Sequence, residues 1–263
     1  MPPRGRWGRR CGTQLSKVMT MKAIFAAATA TAALGLTAPA FAEVPVPGTG
    51  LAVSGEVEAV SDYRFRGVSR SDEDPALRAN VMLSHGSGFY VGTRATTLRG
   101  LDNFRLRDPE LDDLGELELD VYAGYNADLG GGLTLDGGVM YYAFTGSEGP
   151  ANHVEPYASL SYMLGPVEAT GGVKYAPSQE GTGDEDMVYL FGELEAGIPF
   201  TPWTLRAHAG RQDWGDYGRY WNWSVGGSYT LGPAELGLRY VDTSLPSAAG
   251  QDAGFVFSLG VGF

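Results

Sequence analysis

Ala253-Gly-Phe-Val-Phe-Ser-Leu-Gly-Val-Gly-Phe263 closes the chain. Phe255, Phe257, Leu259, Val261 and Phe263 take every second position, and the positions between are mostly Gly or Ser. A period of two describes a strand with two unlike faces, because successive side chains of an extended backbone point to opposite sides. The same alternation continues upstream. Leu236, Leu238 and Tyr240 alternate with Glu235, Gly237 and Arg239; Trp221, Trp223, Val225, Gly227, Tyr229 and Leu231 alternate with Asn222, Ser224, Gly226, Ser228 and Thr230. Bulky apolar residues on one face and charged or small ones on the other are the pattern of a barrel with a lipid-facing outside and a wet inside.

Twelve such segments run through the chain, at 51–67, 75–85, 88–98, 116–127, 132–145, 151–163, 166–177, 186–199, 202–213, 219–231, 233–243 and 253–263. Each has the roughly 9–11 residues that a tilted membrane strand needs. The connections alternate in length: five are tight and six are longer, the longest at 99–115. We therefore expect an all-β fold, a transmembrane antiparallel barrel of about twelve strands with short periplasmic turns and longer extracellular loops. Both termini then lie on the periplasmic side. Aromatic residues near the strand ends should form two interfacial belts. Tyr63, Phe65, Tyr141, Trp221, Trp223 and Phe255 fall in the outer belt, and Tyr125, Tyr162, Trp203, Tyr229 and Phe263 in the periplasmic one.

Composition agrees with that class. Of 263 residues 39 are Gly and 14 Tyr, and mean hydropathy is only -0.13. Outside the leader, no run of about 18 uninterrupted apolar residues exists to form a membrane helix. The formal charge of -12 argues against a nucleic-acid partner, and the only cysteine, Cys11, excludes a disulfide scaffold or a Cys-based metal site. From Met19 the chain reads as an export leader, with Lys22 as its basic region, an Ala/Leu-rich core and Ala40-Phe41-Ala42 as the small-x-small cleavage site. Residues 1–42 are thus expected to be a signal peptide with an over-long extension before Met19, although Arg9-Arg10 also admits a twin-arginine reading. Residues 43–50 would be a short periplasmic lead and 51–263 the barrel. The expected destination is the bacterial outer membrane.

Val60-Ser-Asp-Tyr-Arg-Phe-Arg-Gly-Val-Ser-Arg-Ser-Asp72, followed by Pro75-Ala76 and Gly88-Phe-Tyr-Val-Gly92, resembles the opening of the TorF family of Gram-negative outer-membrane porins. Glu118-Leu-Asp-Val-Tyr-Ala-Gly-Tyr125 is similar to a further block of that family. The resemblance implies a channel-forming barrel. Arg94-Ala-Thr96 departs from it, standing where a Trp and small polar residues are expected, which makes the inner wall of the third strand more basic here.

Strand parity assigns the lumen. With Val57, Ala59, Tyr63 and Phe65 toward lipid, Glu56, Glu58, Asp62, Arg64 and Arg66 face inward, and Arg78 and Arg94 follow on the next two strands. Arg64, Arg66, Arg78 and Arg94 would form a basic arc that sets ion selectivity. An acidic set comprises Glu56, Glu58, Asp62, Glu116, Glu118, Asp120, Glu193 and Glu195, with Glu168, Lys174, Arg206, His208, Glu235 and Arg239 completing the wall. Opposed arcs of charge would orient charged solutes. The alternative is that these groups pair and plug a narrow barrel, since twelve strands enclose less space than the 16–18 of general porins.

Function is expected to be passive diffusion of small hydrophilic solutes, without catalysis, metal or organic cofactor. One alternative is a non-conducting barrel acting through acidic clusters at 71–74, 108–113 and 183–186; their bland role is contact with lipopolysaccharide and its bridging cations. A lipid-modifying enzyme built on Asn152, His153 and Glu155 is the remaining class, and no serine is placed by parity to serve as its nucleophile. Expected partners are outer-membrane lipid, lipopolysaccharide and the barrel-assembly machinery. The assembly machinery would read Phe257, Leu259, Val261 and Phe263 as a C-terminal signal. No oligomeric state is specified.

Overall fold

The computed structural model describes residues 43–99 and 114–263. The leader read in 1–42 and the acidic cluster at 108–113 lie outside the described residues. A short strand β1 (Val44–Val46) folds back on β2 (Leu51–Val60), and a small hairpin follows, formed by β3 (Arg64–Phe65) and β4 (Val68–Ser69). Eleven long strands complete the set: β5 (Ala76–His85), β6 (Phe89–Thr97), β7 (Leu117–Gly130), β8 (Leu133–Thr145), β9 (His153–Leu164), β10 (Val167–Ala176), β11 (Met187–Gly197), β12 (Trp203–Trp214), β13 (Gly218–Leu231), β14 (Ala234–Thr243) and β15 (Gly254–Gly262). Two single turns of 3-10 helix, at Glu180–Thr182 and Gly215–Tyr217, are the only helical elements among the described residues.

Strands β2 and β5 to β15 each pair antiparallel with the next, and β15 pairs with β2. The ring of twelve is closed. Val261 lies opposite Val57 across the seam, and Phe263 exchanges both backbone hydrogen bonds with Gly55, at 2.9 and 3.0 Å. Closure pairs the strand edges, which is what a backbone surrounded by hydrocarbon requires.

Outward positions carry Val57, Leu77, Val121, Leu160, Leu194 and Phe257, all exposed. A continuous exposed apolar surface of this extent is stable against lipid and not against water. By strand parity the only outward-facing charges on the described barrel strands are Arg211, Asp213, Arg219 and Asp242, each close to the end that carries the longer loops. The aromatic belts are exposed at Tyr141, Trp221, Trp223 and Phe255 near that end and at Tyr125, Tyr162, Trp203 and Phe263 near the tight turns.

The Gly-aromatic alternation acquires a physical reason inside. The Tyr189 ring lies so close to Gly210 on the adjacent strand that a Cβ there would stand 2.1 Å from the phenolic oxygen, and Tyr90 crowds Gly124 in the same way at 2.3 Å. An absent side chain on one strand lets a ring on its neighbour lie against the wall.

One boundary departs from expectation. The first barrel strand ends at Val60 and not at residue 67, and Tyr63 and Phe65 belong to no outer belt: Tyr63 is 3 % exposed and Phe65 packs against the buried interior cluster. The chain turns inward because an extended continuation would bring Asp62, Arg64, Arg66 and Arg70 toward the rim, whereas the interior offers each a partner.

Candidate functional site

The inward segment is built around a two-residue turn. Arg66 (φ 50°) and Gly67 (φ 89°) are both left-handed and join Phe65 to Val68, the geometry of a primed hairpin turn. Arginine rarely adopts such a φ, so surrounding contacts must hold it there. The Arg66 guanidinium pairs with Glu155 on β9, donates to Gln212 on β12 and lies 4.3 Å from the Tyr189 ring centroid on β11.

Other contacts fasten the hairpin to the rest of the wall. Arg70 donates to Glu118 on β7 at 2.6 Å and lies 3.6 Å from the Phe65 ring centroid. The Tyr63 hydroxyl donates to the other oxygen of Glu118 at 2.9 Å, and burial with that carboxylate nearby holds the phenol above its ordinary range, so it remains a donor. Phe65 meets Tyr142 on β8 edge to face. At the base, Asp62 accepts from Arg64 and from Ser69, at 2.6 Å for the latter, while Ser69 N donates to Gly250 in the last loop at 2.7 Å. The hairpin therefore bridges the lumen from β7 and β8 to β11 and β12, near the loop end.

On the loop side of this bridge lies a small apolar pocket, whose walls include Val68, Leu114, Phe144, Trp214 and Leu245. On the other side, at mid-barrel, a cavity of about 110 Å³ is lined by six cationic side chains, Arg64, Arg66, Arg78, Arg94, Lys174 and Arg239, and by a single carboxylate, Glu193. Toward the tight turns the balance reverses. There Arg206 is shared between Glu195 at 2.9 Å and Glu235 at 3.0 Å, and by strand parity Glu56 and Glu168 face inward at the same end.

Parity placed most wall residues on the inner face, but the two arcs do not stand opposed. Arg78 pairs with Glu58 at 3.3 Å, and Arg94 with Asp120 through Nε at 2.7 Å. Arg64 and Arg66 are carried by the hairpin, not by the wall. Glu116 precedes β7 and is exposed, apart from the buried Glu118 and Asp120. His208 bridges Glu193 at 2.9 Å and the Tyr189 hydroxyl at 2.7 Å. The trio at the rim disperses: His153 stacks on Tyr142 and contacts the Ala151 carbonyl at 2.9 Å, Glu155 serves Arg66 and Tyr142, and Asn152 accepts from Phe144 N. Sequence reasoning passed over Arg70, the partner of Glu118. Its signal was the density of charge at 62–74, which exceeds what a lipid-facing strand carries.

A family model described as "Bacterial protein of unknown function (Gcw_chp)" matches residues 45–258. No curated protein matches the chain in sequence. Among solved structures, a KdgM porin superimposes with TM-score 0.55 at 9 % identity, covering 80 % of this chain and 98 % of the porin. A NanC porin does so with TM-score 0.53 at 12 % identity, over 80 % and 98 % of the two chains. At such identities the likeness is one of fold: a porin-like barrel of the kind found in outer membranes.

Proposed function

The chain belongs to the Gcw_chp family, and on that premise we propose that it is an outer-membrane channel for passive diffusion of small hydrophilic solutes, narrowed by the hairpin between its first two barrel strands. The observation that carries this reading is a closed, lipid-adapted ring around a charged lumen that retains a cavity at mid-barrel. The likeness in fold to porins and the resemblance of Ser61-Asp-Tyr-Arg-Phe-Arg-Gly67 to TorF-family porins support it.

In this reading the tight turns face the periplasm and the longer loops the exterior, where the acidic clusters at 71–74 and 183–186 meet lipopolysaccharide through bridging cations. Residues 1–42 direct export, and Phe257, Leu259, Val261 and Phe263 present the last strand to the assembly machinery. Selectivity follows from the charge at the constriction and just beyond it, where Arg64 and Arg66 on the hairpin meet Arg78 and Arg94 on the wall. Low-dielectric walls strengthen their field on a permeating ion.

A second reading is favoured by how tightly the hairpin is pinned: a barrel closed at rest, whose loops do the work. Liposome swelling separates the two. Vesicles holding the purified barrel should swell in small neutral sugars, with rates falling steeply as sugar size rises. Vesicles that hold folded barrel yet stay tight to every sugar would contradict the channel.

A further inference from the structure

We propose that the mid-barrel cavity is a binding site for a small hydroxylated carboxylate, held by Lys174 and Arg239. The proposal rests on the channel reading, since its ligand is a permeating solute. Arg64 is paired with Asp62, Arg66 with Glu155, Arg78 with Glu58 and Arg94 with Asp120, while Glu193 is engaged with His208. Lys174 on β10 and Arg239 on β14 are left over: among the described residues neither has a hydrogen-bond or ion-pair partner, and both line the cavity. Lys174 is 6 % exposed.

The carboxylates of Glu155 and Glu193 act on Lys174, and those of Glu58 and Asp62 on Arg239, only from beyond ion-pair distance, so neither cation is neutralised by direct contact and each keeps donors to offer a solute. Two such cations facing one cavity make that cavity complementary to an anion. The neutral lining narrows the class. Ser224 lines the same cavity, and its hydroxyl has no partner among the described residues, so it is free to bond a solute hydroxyl. Phe191, stacked 18° from parallel with both Tyr189 and His208, offers an apolar face to a carbon skeleton. Tetrahedral dianions are commonly cradled by free backbone N–H groups. Here the wall-strand amides around the cavity are committed to the barrel ladder, and it is the Arg66-Gly67 turn that brings backbone from outside that ladder to the lining. Carboxylate on the cations and hydroxyl on Ser224 is the arrangement the lining supports.

The test is calorimetric titration of the full barrel, purified in detergent at low salt, with sodium gluconate, sodium phosphate and glucose. Gluconate should bind once per barrel. Lys174→Gln and Arg239→Gln should each weaken it about tenfold, the usual consequence of losing one charge-assisted hydrogen bond. Lys174→Arg and Arg239→Lys keep the charge and should bind close to the parent, which separates loss of charge from misfolding. Absence of gluconate binding, binding indifferent to both glutamine variants, or equal binding of glucose would overturn the proposal. Binding of phosphate in preference to gluconate would overturn the carboxylate class. Because titration needs no current, a barrel that binds gluconate without conducting refutes the channel alone, and one that conducts without binding refutes this site alone.

Discussion

Glu118 is the residue on which the hairpin depends most. It is fully buried and accepts from Arg70 and from the Tyr63 hydroxyl. Removing one member of a buried ion pair leaves the other charge stranded, at a cost of about 3–5 kcal/mol. Glu118→Ala should therefore release the hairpin while leaving the ring closed, because the barrel ladder does not use that side chain. The expected result is faster protease cleavage within 61–75, with the outward strands still protected; unchanged cleavage would mean that the hairpin is held elsewhere. Glycine gives a second residue-scale prediction. Gly210→Ala sets a methyl against the Tyr189 ring and should destabilise the barrel by about 1–3 kcal/mol in urea unfolding. Gly171→Ala, where nothing lies within 4 Å, should be neutral or slightly stabilising. Equal effects at the two positions would refute the ring-on-glycine account.

At the scale of elements, eleven of the twelve wall strands were legible in period two, because one face must meet lipid and the other water. The first strand misled for the same reason. Tyr63-Arg64-Phe65-Arg66 alternates as a membrane strand does, yet its aromatic residues face arginines and a buried wall, not lipid. Alternation reports two unlike environments without saying which is hydrocarbon. The pairing of Arg78 with Glu58 and of Arg94 with Asp120 was hidden too, since parity gives the face and the register decides the partner. The hairpin itself yields a prediction: replacing residues 63–70 by a short Gly-Ser linker should raise single-channel conductance several-fold. Conductance equal to the parent would place the constriction elsewhere.

Across the whole molecule charge is divided along the axis: six cations line the mid-barrel cavity, four of them ion-paired, and carboxylates gather toward the tight turns. A solute crossing the barrel meets both signs in sequence. Since the cationic stretch begins at the hairpin, through Arg64 and Arg66, it should dominate ion preference, with the field attenuated beyond about 10 Å at 0.1 M salt. Replacing Arg78 and Arg94 by Gln should shift the reversal potential toward cations, and a potential that does not move would mean that these side chains lie away from the constriction.

The most direct test of the central claim is the single-channel current of the purified barrel in a planar bilayer under a salt gradient. We predict discrete, reproducible steps with a reversal potential of anion-preferring sign. A barrel shown to be folded by its heat-modifiable migration, yet silent both with its hairpin intact and with residues 63–70 replaced, would contradict the account.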